Sequence, residues 1–169
     1  MNNNINIRIA HFNDLPSIVD IYNQAIRSGM ATGDMAEFGV EERIPWFEKF
    51  DDNSYPIYVA EVENRVVGYC TLSPYRPGRQ AMQTVAEISY FLDYSFHRKG
   101  IATALIKHVI SDCGRIGTQN LLAIILDINL PTIGLLENLN FEKWGYFPDI
   151  IDMDGKNCGQ FVYGLNLNY

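Results

Sequence analysis

The residues best suited to chemistry lie in residues 89–103, where a predicted strand is followed by a basic loop, a glycine and a predicted helix. The first N–H groups of a helix have no partner within the helix and lie at the positive end of its dipole, so phosphate binds well there. Gly100 lets the backbone approach a ligand closely, and the small Ala102 has the same effect. Arg98 and Lys99 add positive charge. The segment predicts a pyrophosphate site, although a helix start with two solvated basic residues has the same pattern.

A second candidate residue follows the next buried strand. Asn129 comes directly after the aliphatic segment 121–126 and precedes a helical pattern. An asparagine in this position can cap the following helix, and the same side-chain amide can reach a ligand that lies between two strands. Neither the phosphate loop GxxxxGK(S/T) nor the dinucleotide fingerprint GxGxxG occurs in the chain, so the site belongs to neither of those classes.

A sheet with flanking helices must position these residues, and the spacing of apolar residues predicts its elements. The predicted strands cover residues 5–9, 56–62, 66–72, 85–92, 121–126 and 158–167, and the predicted helices cover 15–27, 40–50, 100–113 and the segment from Asn129 to Leu139. Pro45 should kink or split the second helix. The order β-α-α-β-β-β-α-β-α-β predicts an α/β (α+β) fold, in which one mixed sheet has helices on both faces.

Length and charge limit the class of protein. The chain has 169 residues, of which 47% are hydrophobic, and 13 Lys+Arg against 20 Asp+Glu give a formal net charge of −7. The length predicts a single domain over residues 1–169. The excess of acidic residues argues against a protein that binds along nucleic acid, because phosphate backbones attract basic surfaces. It still permits one local basic site for an anionic ligand.

Cysteine usage and the first residues bear on location. Cys70, Cys113 and Cys158 are far apart and lack the spacing of zinc ligands, so we expect reduced cysteines and no metal. Residues 1–4 are polar and lead into the alternating segment 5–9, which does not resemble a signal peptide. The longest aliphatic stretch is far shorter than a membrane span. We therefore predict a cytoplasmic protein that binds neither membranes nor nucleic acid.

The two chemical segments together resemble the Gcn5-related N-acetyltransferase (GNAT) superfamily. Its acetyl-CoA loop reads Q/R-x-x-G-x-G/A, which residues 97–102 match except that His97 takes the first position. Its later pattern N-x-x-S-x-x-L-x-E-x-L-G-F is matched, with Asn140 in place of Gly, by Asn129, Thr132, Leu135, Glu137, Leu139 and Phe141. The resemblance implies a mostly antiparallel sheet and acetyl-CoA as co-substrate. It also implies direct attack in a ternary complex, and a strand before the loop that separates from its neighbour and pairs with the pantetheine arm.

The chain is further similar to the phosphinothricin acetyltransferase-like branch, which acylates small amino acids and their toxic analogues. Matching features include residues 7–10, residues 41–43 with Trp46, and Glu87 in a loose match to V-E-x-S-V-Y-V. Met82 stands where the branch often has Tyr, and residues 144–149 are arranged differently from the branch. The branch implies acetylation of the primary amine of an amino acid or an analogue such as methionine sulfone. We do not expect phosphinothricin itself to be the substrate.

The resemblance implies roles for individual residues. Glu87 would be the general base that accepts a proton from the acceptor ammonium. Thr32 lies in the loop after the first helix, which would line the acceptor site. Arg76 and Arg79 lie in the loop before the Glu87 strand, where each is either a solvated charge or a bidentate partner for a carboxylate. The residues implied to bind acetyl-CoA are Tyr90, Phe91, Leu92, Arg98, Lys99, Gly100, Ile101, Ala102, Thr103 and Asn129.

Two departures from the superfamily keep other functions open. Leu136 stands where many members have Tyr, and this branch often His, and leucine cannot donate a proton to the leaving thiolate. Either another residue, with Tyr94 and Tyr146 as candidates, or water supplies that proton, or the thiolate leaves unprotonated. Unassisted departure is chemically feasible because an ordinary thiol has a pKa of about 8.5. A small-molecule acetyltransferase is the first hypothesis. A polyamine or protein N-terminal acetyltransferase and, given Leu136 and His97, an acetyl-CoA sensor without turnover are the alternatives. The branch also implies a homodimer.

Overall fold

The computed structural model describes residues 4–167 of the chain. The strands are β1 (Asn6–Ile9), β2 (Ile57–Val62), β3 (Arg65–Pro74), β4 (Val85–Leu92), β5 (Asn120–Leu126), β6 (Glu142–Met153) and β7 (Lys156–Asn166). The helices are α1 (Leu15–Ser28), α2 (Val40–Phe47), α3 (Ile101–Asp112) and α4 (Leu130–Asn138). The strands form one sheet in the order β1-β2-β3-β4-β5-β7-β6.

Helices cover both faces of this sheet. On one face, Ile18 and Ile21 of α1 pack with sheet residues such as Val59. On the other face, Leu105 of α3 and Leu136 of α4 belong to the larger core cluster. Among the described strands, the β4–β5 pair is parallel and the five other neighbouring pairs are antiparallel. These observations confirm the predicted mixed, mostly antiparallel sheet.

The sequence of α1 explains where this helix begins and ends. Pro16 lies in the first turn, where its missing N–H costs no hydrogen bond. Ile18, Ile21 and Ala25 share one buried face at helical spacing. The helix ends at Ser28 because Gly29 adopts a left-handed φ of 63°. The loop that carries the predicted acceptor-site residues therefore starts at a defined point.

The parallel pair β4–β5 separates partway along its length. Pairing between the two strands ends at Glu87 and Leu122. Beyond that point, β4 remains paired with β3 as far as Leu92, and β5 remains paired with β7 as far as Leu126. The two strands therefore diverge into a V-shaped gap, as the superfamily resemblance implies.

β6 is the element that the sequence analysis misses. Most of its side chains are exposed on both faces, and Pro148 interrupts it. Register shifts between Lys143 and Gly145 and between Phe147 and Ile151 mark irregular pairing with β7. A bulged edge strand has no single buried face, so the alternation that marks a strand in the sequence is absent.

The second helix is shorter than predicted. It continues through Pro45 as a single element and ends at Phe47, before the predicted end at residue 50. Glu42 closes its first turn, because its carboxylate accepts a 2.6 Å hydrogen bond from the N–H of Gly39. α2 is therefore not split at Pro45, and the alternative of a kink there stays a prediction.

Candidate active site

The backbone of β4 directs hydrogen-bonding groups into the gap. Along a strand, the N–H and C=O groups of successive residues point to opposite sides. The C=O of Val85 and the N–H of Asp93 both bond on the β3 side, at 3.4 and 2.9 Å. The N–H groups of Tyr90 and Leu92 therefore point the other way, into the gap. They form a row of fixed donors beside any ligand that lies between β4 and β5.

A left-handed turn at Gly100 connects the loop after β4 to α3. Gly100 has a φ of 78°, and a Cβ built on it would meet nothing within 4 Å, so the space beside it is open. Arg98 also adopts a left-handed φ, of 59°. Because α3 begins at Ile101, the N–H groups of its first turn have no helical acceptor. An open space at a helix start with a basic residue fits a pyrophosphate.

A cavity of about 440 Å³, called here the gap cavity, extends from this loop into the gap. It brings together nearly all residues predicted to bind acetyl-CoA: Tyr90, Phe91, Leu92, Arg98, Gly100, Ile101, Ala102, Thr103 and Asn129. Lys99 does not line the cavity, and its Nζ lies 4.4 Å from the centre of the Phe96 ring. The local motif therefore identifies one continuous cavity, with one of its basic residues directed elsewhere.

Asn129 both caps a helix and lines the gap cavity. Its Oδ1 accepts a 3.3 Å hydrogen bond from the N–H of Thr132, which caps α4. The hydroxyl of Tyr90 donates to Thr132 Oγ1 at 3.2 Å, and this contact joins β4 to α4. Capping uses the oxygen of the Asn129 amide and leaves its Nδ2 hydrogens available as donors. The two roles considered for this residue are therefore compatible.

A second cavity, of about 530 Å³, lies on the face of the sheet that α1 and α2 cover and is called here the α1–α2 cavity. Its charged lining residues, among those described, are Arg43, Lys49 and Glu87. Thr32 lies in its wall, and its contact with an acceptor stays a prediction. The aromatic residues that line it are Tyr22, Trp46, Phe50, Tyr55, Tyr69 and Phe91. Such a site suits a small molecule with both apolar and charged parts.

Glu87 lies in the α1–α2 cavity at the point where β4 leaves β5. Its side chain is half-buried, and this burial raises the pKa of its carboxyl group above the ordinary value. A carboxylate with a raised pKa is a stronger base than an exposed glutamate. The position and the pKa shift both suit proton transfer within the cavity.

The loop after α1 is held to the helix by side chains that face the α1–α2 cavity. The hydroxyl of Tyr22 donates to Asp34 and lies 2.8 Å from Thr32 Oγ1. Burial, followed by the hydrogen bond to Asp34, raises the pKa of Tyr22 to about 12, so the phenol stays protonated. The loop wall that carries Thr32 is thereby fixed relative to α1.

The two cavities meet at β4. Ala31, Ser89, Phe91 and Ile124 line both of them. Ser89 and Phe91 follow Glu87 on the same face of the strand, because side chains alternate along β4. A ligand in the gap cavity can therefore touch a ligand in the α1–α2 cavity beside Glu87.

The predicted arginines of the loop before β4 lie away from both cavities. Arg76 and Arg79 are exposed and line neither of them. The guanidinium of Arg76 lies 5.4 Å from the centre of the neighbouring Tyr75 ring. Their predicted contact with substrate stays a prediction.

The sequence analysis gives no role to the other charged residues of the α1–α2 cavity. Arg43 and Lys49 come from α2 and the residues that follow it. The local signal is the match of residues 41–43 with Trp46 to the branch, in which the spacing places Arg43 and Trp46 one helical turn apart on α2. That spacing is common on surface helices and does not indicate a site.

Within residues 4–167, no group of three or more His, Cys, Asp or Glu side chains is arranged to hold a metal ion. No helix in this part of the chain is long and apolar enough to cross a membrane.

Comparison of the sequence with known protein families agrees with the geometry of the two cavities. The acetyltransferase (GNAT) family profile matches residues 17–141, which include both cavities' β4 residues and the Gly100 loop. The chain belongs to the GNAT family. This GNAT chain is an N-acetyltransferase that uses acetyl-CoA as co-substrate, as the sequence motifs predict.

Named relatives cover nearly the whole chain. YwnH of Bacillus subtilis, a candidate phosphinothricin acetyltransferase, is 34% identical over 96% of this GNAT chain and 99% of its own length. The L-methionine sulfoximine/L-methionine sulfone acetyltransferase of Pseudomonas aeruginosa is 30% identical over 96% of this chain and 94% of its own. A phosphinothricin acetyltransferase from Sinorhizobium meliloti, solved with acetyl-CoA, superposes with a TM-score of 0.89 at 28% identity, over 96% of this chain and 88% of that one.

Proposed function

We propose that this GNAT chain acetylates the primary amine of a small α-amino acid or of an analogue such as methionine sulfone. The observation that carries the proposal is the junction of the two cavities at β4, beside Glu87. The relatives named for methionine sulfoximine, methionine sulfone and phosphinothricin support an amino-acid-like acceptor.

Acetyl-CoA would occupy the gap cavity. The N–H groups at the start of α3 and the open space at Gly100 suit its pyrophosphate. The N–H groups of Tyr90 and Leu92 suit the pantetheine amides and the thioester oxygen, because they are fixed donors on a rigid strand. Asn129 adds side-chain amide donors on the opposite side of the gap. The bound co-substrate supplies an acetyl group activated as a thioester.

Glu87 would act as the general base. The acceptor ammonium in the α1–α2 cavity gives a proton to the Glu87 carboxylate, directly or through one water. The freed amine then attacks the acetyl carbonyl at the cavity junction, and the bond to sulfur breaks with its electron pair on sulfur. The new amide nitrogen releases its remaining extra proton to water. Glu87 later returns its proton to solvent. The half-buried position of the carboxylate, which raises its pKa, supports this role.

The thiolate would leave without help from α4. Leu136 is fully buried in the core and carries no proton to donate. An ordinary thiol has a pKa of about 8.5, so a thiolate is a competent leaving group near neutral pH. Water that enters the gap cavity would then protonate the sulfur.

The charges of the α1–α2 cavity distinguish the acceptor classes. Among the described lining residues, two are cations and one is a carboxylate. An amino acid matches this set, because its ammonium pairs with a carboxylate and its carboxylate pairs with a cation. A polyamine carries several positive charges and would meet Arg43 and Lys49 as like charges. A protein N-terminus carries no free carboxylate next to its amine, so it would leave both cations without a partner.

Free-thiol release from acetyl-CoA, measured over a panel of amino acids, sulfones, polyamines and peptides, tests the proposal. We expect release with L-methionine sulfone or a related amino acid, and an N-acetylated product in mass spectrometry. Release with polyamines or peptides alone would contradict the proposal. Binding of acetyl-CoA in calorimetry without release for any amine would favour a sensor.

The homodimer and the cytoplasmic location belong to the same proposal. β6 exposes several large apolar side chains, among them Trp144, Phe147 and Ile150, which is typical of a surface that another chain covers. The three free, buried cysteines suit a reducing compartment. Light scattering should give twice the mass of the 19.3 kDa chain, and Trp144→Glu should give the monomer mass. A monomeric wild-type protein would contradict the dimer.

A further inference from the structure

We infer that Arg43 binds the carboxylate of the acceptor amino acid, an assignment that rests on the proposed amino-acid acetyltransferase function. Arg43 lies on α2, is half-buried, and lines the same cavity as Glu87. A guanidinium presents five N–H donors in a planar fork and binds a carboxylate through two parallel hydrogen bonds.

Three aromatic rings hold the Arg43 guanidinium. Its central carbon lies 4.1 Å from the centre of the Trp46 ring, 4.9 Å from Phe38 and 5.0 Å from Tyr22. These aromatic rings attract the cation through their faces but offer its N–H groups no carboxylate or carbonyl acceptor. The N–H groups around its edge are therefore the part left to bind a planar anion.

The supports of these rings are themselves fixed. Asn23 of α1 donates to the C=O of Phe38 at 2.9 Å and accepts from its N–H at 3.0 Å. Tyr22 is held by its hydrogen bond to Asp34 and its 2.8 Å contact with Thr32. Arg43 therefore has a prepared position, and little side-chain freedom is lost when an anion binds.

No carboxylate of the described chain already pairs with Arg43. Within residues 4–167, the arginines with a carboxylate ion pair are Arg8, Arg27, Arg65 and Arg115. The carboxylate of Asp34, on the loop facing α2, accepts its hydrogen bond from the Tyr22 hydroxyl instead. The chain has a net charge of −7, yet this arginine lies in a cavity with no carboxylate of the described residues paired to it. It is therefore available to bind the anionic group of a ligand.

Arg43 and Glu87 line the same cavity and offer an amino acid one charge of each sign. The ammonium would lie at Glu87, near the cavity junction, and the carboxylate at Arg43, against the aromatic wall. Lys49 is exposed and its ammonium is a flexible point charge, so it is less suited to hold a carboxylate in one orientation. Arg76 and Arg79 line neither cavity.

The test compares two acceptors that differ only in the carboxylate: L-methionine sulfone and the amine that its decarboxylation gives. We expect wild type to prefer the amino acid. In Arg43→Gln, the KM for the amino acid should rise about 10- to 100-fold, because a charged hydrogen-bonded contact is lost. The KM for the decarboxylated amine should change little. Arg43→Lys should fall between wild type and Arg43→Gln, because it keeps the charge and loses the fork.

Controls separate binding from folding. Arg27→Gln removes an exposed arginine that pairs with Glu37, and it should leave both KM values unchanged. Acetyl-CoA affinity and melting temperature show whether each variant is folded. If Arg43→Gln does not fold, the comparison of the two acceptors in Arg43→Lys tests the assignment. Equal losses for both acceptors in the Arg43 variants would overturn the assignment. So would a wild type that acetylates both acceptors equally well, although amine acetylation itself would then stand. If L-methionine sulfone is not acetylated, the same comparison uses the amino acid of the panel that is, with its decarboxylated amine. A wild type that acetylates no amino acid of the panel would overturn the proposed function and the assignment with it.

Discussion

The gap cavity and the α1–α2 cavity meet at one strand but are built in different ways. The gap cavity depends on backbone groups: the N–H groups of β4, the left-handed turn at Gly100 and the start of α3. The α1–α2 cavity depends on side chains such as Tyr22, Arg43 and Glu87, which come from separate elements. A backbone site tolerates many side chains, whereas a side-chain site changes with each substitution. The co-substrate can therefore stay constant in a family while the acceptor varies.

The largest expected effect removes the base. Glu87→Gln should lower kcat about 10²- to 10⁴-fold, because general base catalysis is lost. Acetyl-CoA affinity should remain, since Glu87 does not line the gap cavity. In wild type, activity should fall as the pH drops through the raised pKa of Glu87, because the protonated carboxyl accepts no proton. The variant should lose this acid limb.

Kinetics between pH 5 and 9, with calorimetry for acetyl-CoA, checks the prediction. Glu41→Gln, which removes an exposed carboxylate from α2, is the control and should behave as wild type. An unchanged kcat and pH profile in Glu87→Gln would show that another group accepts the proton.

The next effect concerns the backbone of the gap cavity. Gly100→Ala places a Cβ on a residue with a φ of 78°, where an L-residue costs about 1–2 kcal/mol. In the free variant, the loop should relax to a conformation without this strain, and acetyl-CoA binding must restore the left-handed turn. The Kd for acetyl-CoA should therefore rise about 5- to 30-fold. The KM for the acceptor should change little.

Gly117→Ala is a matched control for this change. Gly117 has a φ of 75° and also has nothing within 4 Å of a built Cβ, but it lies after α3, outside both cavities. Equal loss of acetyl-CoA affinity in the two variants would mean that backbone strain alone, without a local pyrophosphate site, explains the effect.

Asn129 allows its structural and ligand roles to be separated. Asn129→Ala should lower the free energy of unfolding by about 1 kcal/mol, because the cap of α4 is lost. Asn129→Ser retains a capping oxygen but lacks the amide donors, so stability should recover while the Kd for acetyl-CoA stays about 3- to 10-fold raised. Denaturant unfolding and calorimetry measure the two quantities. Full recovery of affinity in the serine variant would leave Asn129 with a capping role alone.

An effect of similar size concerns the wall of the α1–α2 cavity. Tyr22→Phe removes the contacts to Thr32 and Asp34 and should raise the acceptor KM about 3- to 10-fold. The KM for acetyl-CoA should not change. Tyr75→Phe removes a phenol outside both cavities and serves as the control. A change in the KM for acetyl-CoA alone would mean that the loop wall belongs to the other cavity.

The contrast between a cavity built from backbone groups and one built from side chains also explains which site residues the sequence predicts. The Gly100 loop and Asn129 lie in short segments with a local pattern, and both line the predicted cavity. Arg43 belongs to a stretch that matches the branch, but that match assigns it no role, and it becomes part of a site only when the fold brings it to the cavity that Glu87 also lines. Arg76 and Arg79 lie in the loop before β4, where both are exposed, and their contact with substrate stays a prediction.

The elements of the fold also divide into those that a local apolar pattern predicts and one that it does not. The buried strand β5 and the amphipathic helix α1 have clear apolar patterns and are predicted within a few residues. β6 has no buried face and contains Pro148, so nothing in its own sequence marks it as a strand. Its existence depends on pairing with β7, which local periodicity does not reveal.

A crystal structure with both CoA and L-methionine sulfone bound is the most direct test of acetyl transfer at the cavity junction. We predict CoA in the gap cavity, with its sulfur beside Ser89 and Phe91, and the amine of the acceptor in hydrogen-bond reach of Glu87, directly or through one water. An acceptor bound outside the α1–α2 cavity, or with its amine directed away from Glu87, would contradict the account.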